Sequence, residues 1–258
     1  MKKILSLAFG ICLLTQGISQ NVTVKAMTLN IRSIEPDFNI RPFVQLILDE
    51  NPDVVGFQEV EVRTSRMQQR DVVLEIAAAT GMFSYFAPAY QKDDGEYGNA
   101  VLSRFPITAS HYTELPIMKA GGGSDQRVGL VTELMLPGNF KMRLLNTHID
   151  HRISPDKAYE QLQPMLTQNV TDGTTPIIFT GDFNADPYSP LITEIVKNFD
   201  NQTDDSGTFG ADHGYIGSKL DYIFSYPKGK WKRIETRTLH SVRISDHYPV
   251  ISILEYQK

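Results

Sequence analysis

Six stretches of the chain place ionisable or amide side chains where an apolar strand would otherwise continue or end. They are Met27-Thr28-Leu29-Asn30-Ile31-Arg32, Val55-Gly56-Phe57-Gln58-Glu59-Val60, Leu144-Leu145-Asn146-Thr147-His148-Ile149-Asp150, Gly181-Asp182-Phe183-Asn184, Lys219-Leu220-Asp221-Tyr222-Ile223-Phe224 and Ile244-Ser245-Asp246-His247-Tyr248-Pro249-Val250. Each has a plain structural role open to it: Asn30 could cap a turn, Glu59 could begin a helix, and His148 could be a satisfied core histidine. Together they ask for more, because buried amides, carboxylates and imidazoles are costly unless they satisfy one another or a metal. Strand ends converging on one pocket would meet that demand. Carboxylates are hard ligands for a hydrated divalent cation, and an imidazole beside a carboxylate can move a proton near neutral pH.

The run from Thr175 to Pro190 states the problem most sharply. Pro176 to Thr180 is an apolar, β-rich strand, and it finishes on Gly181, Asp182, Phe183 and Asn184. Residues i and i+2 of an extended chain share a face. Asp182 and Asn184 are therefore expected side by side at a rigid strand end, suited to a metal, a water or a phosphate, or to a polar strand exit.

Strands are expected at Val22–Ile31, Asp53–Val60, Asn99–Ser103, Val128–Leu136, Lys141–Ile149, Pro176–Thr180, Leu220–Tyr226, Arg233–Leu239 and Val250–Glu255. The turn residues Pro137-Gly138-Asn139 make the fourth and fifth an antiparallel hairpin. Helices are expected around Phe43, Leu46 and Ile47, ending near Asn51-Pro52, then over Asp71–Thr80, Ala158–Val170 and Pro190–Phe199. Strands interleaved with helices from one end to the other imply a mixed-sheet, layered α/β arrangement. Gln91–Gly98, Lys119–Gln126 and Asp200–Ser218 are the irregular segments, where functional loops concentrate.

Leu29-Asn30-Ile31-Arg32, Gln58-Glu59-Val60, the run from Gly98 to Ile107, Asn146 to Asp150, Gly181 to Pro187, Leu220 to Phe224 and Ser245 to Val250 occur in an order that resembles the metal-dependent endonuclease/exonuclease/phosphatase superfamily. That superfamily includes pancreatic-type deoxyribonucleases, abasic-site endonucleases, neutral sphingomyelinases, inositol polyphosphate 5-phosphatases and deadenylases. The resemblance runs from Val22 to Leu254 and implies a four-layered α/β sandwich, with two mixed sheets face to face and helices outside. It implies Glu59 as principal ligand to Mg²⁺ or Mn²⁺, completed by Asn30 and Asp246. It implies Asp182 as the group that orients or deprotonates water, Asn184 as a holder of water or phosphate oxygen, and Asp221 with His247 as an acid–imidazole dyad. Whether His247 or Asp182 is the general base stays open. His148 would contact a phosphate oxygen, with Asn99 and Glu96 the candidates to orient it; Asn99 and Arg127 would also face substrate. Arg127 could equally be a surface charge. His151 is placed at the cleft rim and His213 near substrate, while His111 and His240 are expected to pack or face solvent.

The chain has 258 residues and a formal net charge of −5. Lys2 and Lys3, the apolar run Ile4 to Leu14, and Gly17-Ile18-Ser19 form the pattern of a cleaved signal segment over residues 1–20. The expected remainder, 21–258, is a single catalytic domain, periplasmic or secreted. Cys12, the only cysteine, lies in that segment, so thiol catalysis, disulfides and cysteine-ligated zinc are excluded from the remainder. No later run approaches the ~20 apolar residues of a membrane span. Without Lys2 and Lys3 the balance is 23 basic to 30 acidic residues, and no extended basic surface for duplex nucleic acid is evident. A monomer acting on a small phosphoester is expected. A nuclease or a sphingomyelinase-like phosphodiesterase on the same site is the first alternative, and a non-catalytic binding module on this fold is the second.

Overall fold

A computed structural model describes residues 21–33 and 37–257; the expected signal segment lies outside the described residues. In chain order the elements are β1 (Val22–Asn30), α1 (Arg41–Glu50), β2 (Val54–Val62), α2 (Val72–Thr80), β3 (Phe83–Lys92), β4 (Gly95–Ser103), β5 (Ile107–Leu115), β6 (Arg127–Leu136), β7 (Phe140–His148), α3 (Ala158–Asn169), β8 (Ile177–Asp182), α4 (Pro190–Ile195), β9 (Asp200–Asn201), β10 (Asp221–Tyr226), β11 (Trp231–Thr238) and β12 (Val250–Tyr256).

They form two six-stranded sheets, ordered β11-β12-β1-β2-β4-β3 and β5-β6-β7-β8-β10-β9. Each is mixed and holds one parallel pair, β1 with β2 and β7 with β8. A parallel pair needs a crossover rather than a tight turn, and α1 and α3 supply the two crossovers. Alternation along β1 shows why four layers result. Val24 and Ala26 face a core shared with Leu130, Leu144 and Ile178 of the other sheet. Met27 and Leu29 face outward, onto Phe43, Ile47, Val73 and Ile76 of α1 and α2. On the opposite outer face, Leu162, Met165, Leu191 and Ile195 of α3 and α4 cover Leu145, Phe179 and Phe224.

All nine anticipated strands are present. Three more were not expected: β9, only two residues long, and the full-length β3 and β5. The two full-length strands lie at sheet edges, where most positions are exposed or half-buried and the apolar alternation of a two-sided strand is lost. Gln91–Gly98 is accordingly the tip of the β3–β4 hairpin rather than a loop, turning at Asp93 with φ +53°. Helix α4 stops at Ile195, short of the expected Phe199.

Toward one end of the sandwich the apolar layer between the sheets becomes polar. Gln58 Nε2 donates to Thr28 Oγ1 (3.1 Å) and across the sheets to Asn146 Oδ1 (2.7 Å). Asn146 Nδ2 donates back to the carbonyls of Phe57 and Ala100, and Thr180 Oγ1 lies 3.1 Å from Asn146 Oδ1. This network fixes the two sheets in register. Two residues further along β1, β7 and β8, on the same face, stand Asn30, His148 and Asp182.

Candidate active site

Asp182 is the last residue of β8. Strand register sets His148 of β7 beside it on one flank and Asp221 of β10 on the other. Its Oδ2 is a meeting point: Asn30 Nδ2 donates to it at 3.0 Å, His148 Nε2 lies 3.6 Å away, and His247 Nε2 3.7 Å away. Its Oδ1 accepts the backbone N–H of Asn184 at 3.0 Å. Asn184 is thus not a second side chain on an extended strand, as the i, i+2 spacing suggested. The strand ends at Asp182, Asn184 turns left-handed with φ +47°, and an Asx turn brings the two together. The Asn184 amide donates to Ile149 O and faces His148 Nε2 at 3.0 Å.

His247 Nδ1 lies 2.8 Å from Asp221 Oδ2. The start of β10 is itself anchored, since Thr208 Oγ1 accepts the backbone N–H of Leu220 and Asp221. Phe209 packs edge-on against the imidazole. Burial would lower the His247 pKa, but Asp221 and then Asp182 overrule it and raise it to about 10. Burial pushes Asp182 up to about 7 even though His247 pulls the other way. The ligand atoms of Asp182, Asp221 and His247 all lie within 4.8 Å of one another.

His148 has an unexpected partner. Its Nδ1 lies 2.9 Å from Arg127 Nη1, and neither Asn99 nor Glu96 orients it. Asn99 is buried and donates to Val128 O, tying β4 to the other sheet. One of its amide hydrogens is thus committed to the framework. Glu96 pairs with Arg63. Arg127 is not a surface charge: it is 4% exposed, beside Asp125 and the buried Tyr97, and its Nε has no hydrogen-bond partner among the described residues. Burial, and after it the Arg127 charge, holds His148 well below the usual histidine range.

Asn30 also donates to Glu59 Oε1 at 3.1 Å. Glu59 follows inward-facing Gln58 and should point the other way. A bulge between Phe57 and Val60, with φ +56° at Glu59, re-aims it into the cleft. Asp246 sits on the other side of Asn30, where Ser245 Oγ lies 2.7 Å from Asn30 O and 3.1 Å from Asp246 Oδ1. Arg32 Nη1 is 3.5 Å from Asp246 Oδ2. Glu59 is half-buried and has no cationic partner among the described residues. Glu59, bonded to Asn30 and without such a counter-charge, is the donor that suits a hard divalent cation, and Asp246 is linked to Asn30 through Ser245 and the main-chain carbonyl.

One residue of the site was overlooked. Asp150 is buried, and its Oδ2 accepts the N–H groups of Ser124 and Asp125 while Oδ1 accepts that of Arg152. It anchors the loop that delivers Arg127; its place two residues after His148 was the available signal. His151 is exposed beside it. His213 is exposed and stacks on Tyr215. His111 bonds Asn169, and His240 bonds Gly207 O and packs on Tyr248.

The fold is shared with known proteins. In solved structures the fold matches an endonuclease/exonuclease/phosphatase family protein of Bacteroides thetaiotaomicron (TM-score 0.76, 21% identity, 93% of this chain and 100% of that one). It also matches a mannosyl-6-phosphatase of Bacteroides thetaiotaomicron VPI-5482 (0.73, 21%, 90% and 99%) and the human nocturnin catalytic domain with bound sulfate (0.72, 19%, 91% and 95%). No curated protein matches the chain by sequence. The family model for the endonuclease/exonuclease/phosphatase family matches residues 27–247, and the chain belongs to that family.

Proposed function

We propose that this protein is a divalent-metal-dependent phosphoester hydrolase that attacks phosphorus with an activated water. The observation that carries the reading is the convergence of Asn30, His148 and His247 on one carboxylate oxygen, Asp182 Oδ2, at 3.0, 3.6 and 3.7 Å. A water there sits against a buried base and between two imidazoles. Glu59, Asn30 and Asp246 would hold Mg²⁺ or Mn²⁺, which supplies charge neutralisation for the phosphoryl group.

The chain's own residues divide the remaining work. His247 is kept charged by Asp221 and serves as donor to a phosphoryl oxygen, so the proton of the water falls to Asp182. Asn30 and the Asn184 backbone N–H fix both oxygens of Asp182. The His148 Nε2–H binds a non-bridging oxygen. The groups are preorganised on strand ends, which keeps the alignment for in-line displacement.

The net charge of −5 supports a small phosphoester over duplex nucleic acid. The mannosyl-6-phosphatase among the structural neighbours makes sugar phosphates the first class to test. Among the described residues no helix is long and apolar enough to cross a membrane. Export to the periplasm or medium rests on residues 1–20 and is checked by cell fractionation. The deciding experiment is ³¹P NMR of the protein with Mg²⁺ or Mn²⁺ and a panel of sugar phosphates, nucleotides, inositol phosphates, sphingomyelin, RNA and single-stranded DNA. Turnover of one class, absent in Asp182→Ala, is expected; a folded protein silent across the panel would overturn the reading.

A further inference from the structure

A cavity of about 510 Å³ opens beside the site, on the side of Asn30 and Asp246. Its wall includes Arg32, Asp212, Arg243 and Asp246, and its floor includes Phe38 and Phe43. Those two rings stack at 5.1 Å and belong to the core beneath the cavity, 7% and 3% exposed. The cavity joins the site covalently and by hydrogen bonds: Asp246 precedes His247, and the Arg32 N–H donates to Asn30 Oδ1. On the other side of the cleft, by Asn184, the cavity measures about 80 Å³. That falls well under the ~300 Å³ at which small-molecule sites begin. Of these two cavities lined by described residues, the larger has room for the non-phosphoryl part of a substrate.

Its chemistry selects what that part is. The wall carries the carboxylates of Asp37, Asp212 and Asp246 and the guanidiniums of Arg32 and Arg243. Arg32 already spans two of the carboxylates, at 3.1 Å from Asp212 and 3.5 Å from Asp246. A second anionic group would meet a net negative wall. A sugar hydroxyl donates and accepts at once, so vicinal hydroxyls engage carboxylate and guanidinium together.

We propose that this cavity binds the sugar ring of a sugar phosphate, with Arg243 and Asp212 as the residues that select it; the proposal rests on the phosphoesterase reading above. Both side chains are exposed, so changing them spares the core. The full chain, Arg243→Ala and Asp212→Asn are compared in two ways. Saturation-transfer NMR with methyl hexopyranosides, which carry no phosphate, reads the cavity alone. The ratio of kcat/KM for hexose 6-phosphates to that for phenyl phosphate, with Mg²⁺, reads its use in turnover. The unsubstituted chain is expected to give a sugar signal that both variants weaken, and their ratio is expected to fall at least tenfold. Absence of a sugar signal in the unsubstituted chain, or an unchanged ratio in both variants, overturns the proposal. Sugar binding without turnover of any phosphoester supports the cavity assignment and sinks the phosphoesterase reading instead.

Discussion

Arg127 Nη1 stands 2.9 Å from Nδ1 of His148, so one imidazole of the site is held by a cation, whereas the other, His247, is held by a carboxylate. A guanidinium only donates. Nδ1 of His148 then carries the lone pair and its proton sits on Nε2, where the Asn184 amide nitrogen at 3.0 Å is a neighbour rather than a donor, its own bond going to Ile149 O. His148 is a neutral donor and His247 a charged one. Nitrogen-15 NMR of the ring should show the neutral Nε2–H tautomer of His148 throughout pH 5.5 to 8. Arg127→Gln leaves burial, the larger cause of its low pKa, and removes the second, so His148 should gain its proton at a higher pH than in the unsubstituted protein. The same change should lower kcat by ~10²- to 10³-fold, the usual cost of losing one preorganised donor. Titration of His148 near neutrality in the unsubstituted protein would refute this division of roles.

The Asp221–His247 pair makes an independent claim on the pH–rate profile. With His247 raised to about 10 by Asp221 and Asp182 against the pull of burial, its proton stays on through pH 9 and no basic limb appears there. Asp221→Asn removes the first of those charges, so His247 falls and loses its proton as pH rises through the neutral range. The variant should show a kcat that declines above neutrality, on top of a loss of ~10²- to 10⁴-fold. A flat profile in Asp221→Asn would mean that Asp221 does not hold that proton.

What the sequence showed and hid follows from local physics. Strands buried on at least one face advertised themselves by composition, and the polar residues at their ends marked the site, because buried carboxylates need a reason. Edge strands β3 and β5 carry no such signature. The partner of His148 was misassigned for a different reason: Arg127 reads as a lone charge, and only the pairing of β6 with β7 brings it under the imidazole. The aim of Glu59 was equally hidden, because strand alternation points it away from Gln58's face and the correcting bulge has no glycine to betray it.

Asp182 should cost the protein stability. Burial raises its pKa from the ordinary carboxylate value to about 7, so the folded state holds a proton that the unfolded chain releases. The penalty is small at pH 4.5, grows as pH rises, and is complete above pH 7. Without metal, Asp182→Asn should gain ~0.5–2 kcal/mol at pH 8 and much less at pH 4.5, while turnover is lost. His247 acts oppositely: its raised pKa contributes stability below its unfolded value near 6.5, lost as pH climbs through about 10. Urea unfolding at the two pH values measures the difference; a gain that is larger at pH 4.5 would invert the assignment.

Removal of divalent cations with EDTA should abolish turnover and leave the fold intact, since the strands carry the framework. Glu59→Gln keeps the hydrogen bond from Asn30 available to an oxygen but removes the charge. The Mg²⁺ concentration for half-maximal rate should rise at least ~10-fold, the scale of changes in ligand surroundings. Isothermal titration of the cation gives the same shift without turnover. An unchanged affinity in Glu59→Gln would move the cation site elsewhere.

The last prediction concerns the layer beneath the site. Gly56 has no side chain because none fits: a Cβ there would overlap Thr180 Oγ1 and lie 2.7 Å from Asn146 Oδ1. Gly56→Ala must therefore push β2 from β8 or break the bonds among Gln58, Asn146 and Thr180, at a cost of ~1–3 kcal/mol for overpacking. Because His148 and Asp182 stand two residues beyond Asn146 and Thr180, and Asn30 pairs with Gln58, the displacement reaches the chemistry. A shift near 1 Å in such groups costs ~10²-fold in rate. Thr180→Ala removes the nearest clashing atom. The double variant should thus be more stable than the sum of the two single losses predicts, by ~0.5 kcal/mol or more. Urea midpoints and kcat for the two single variants and the double variant test this together. Strict additivity in stability, with kcat unchanged in Gly56→Ala, would show that the polar layer does not govern the geometry above it.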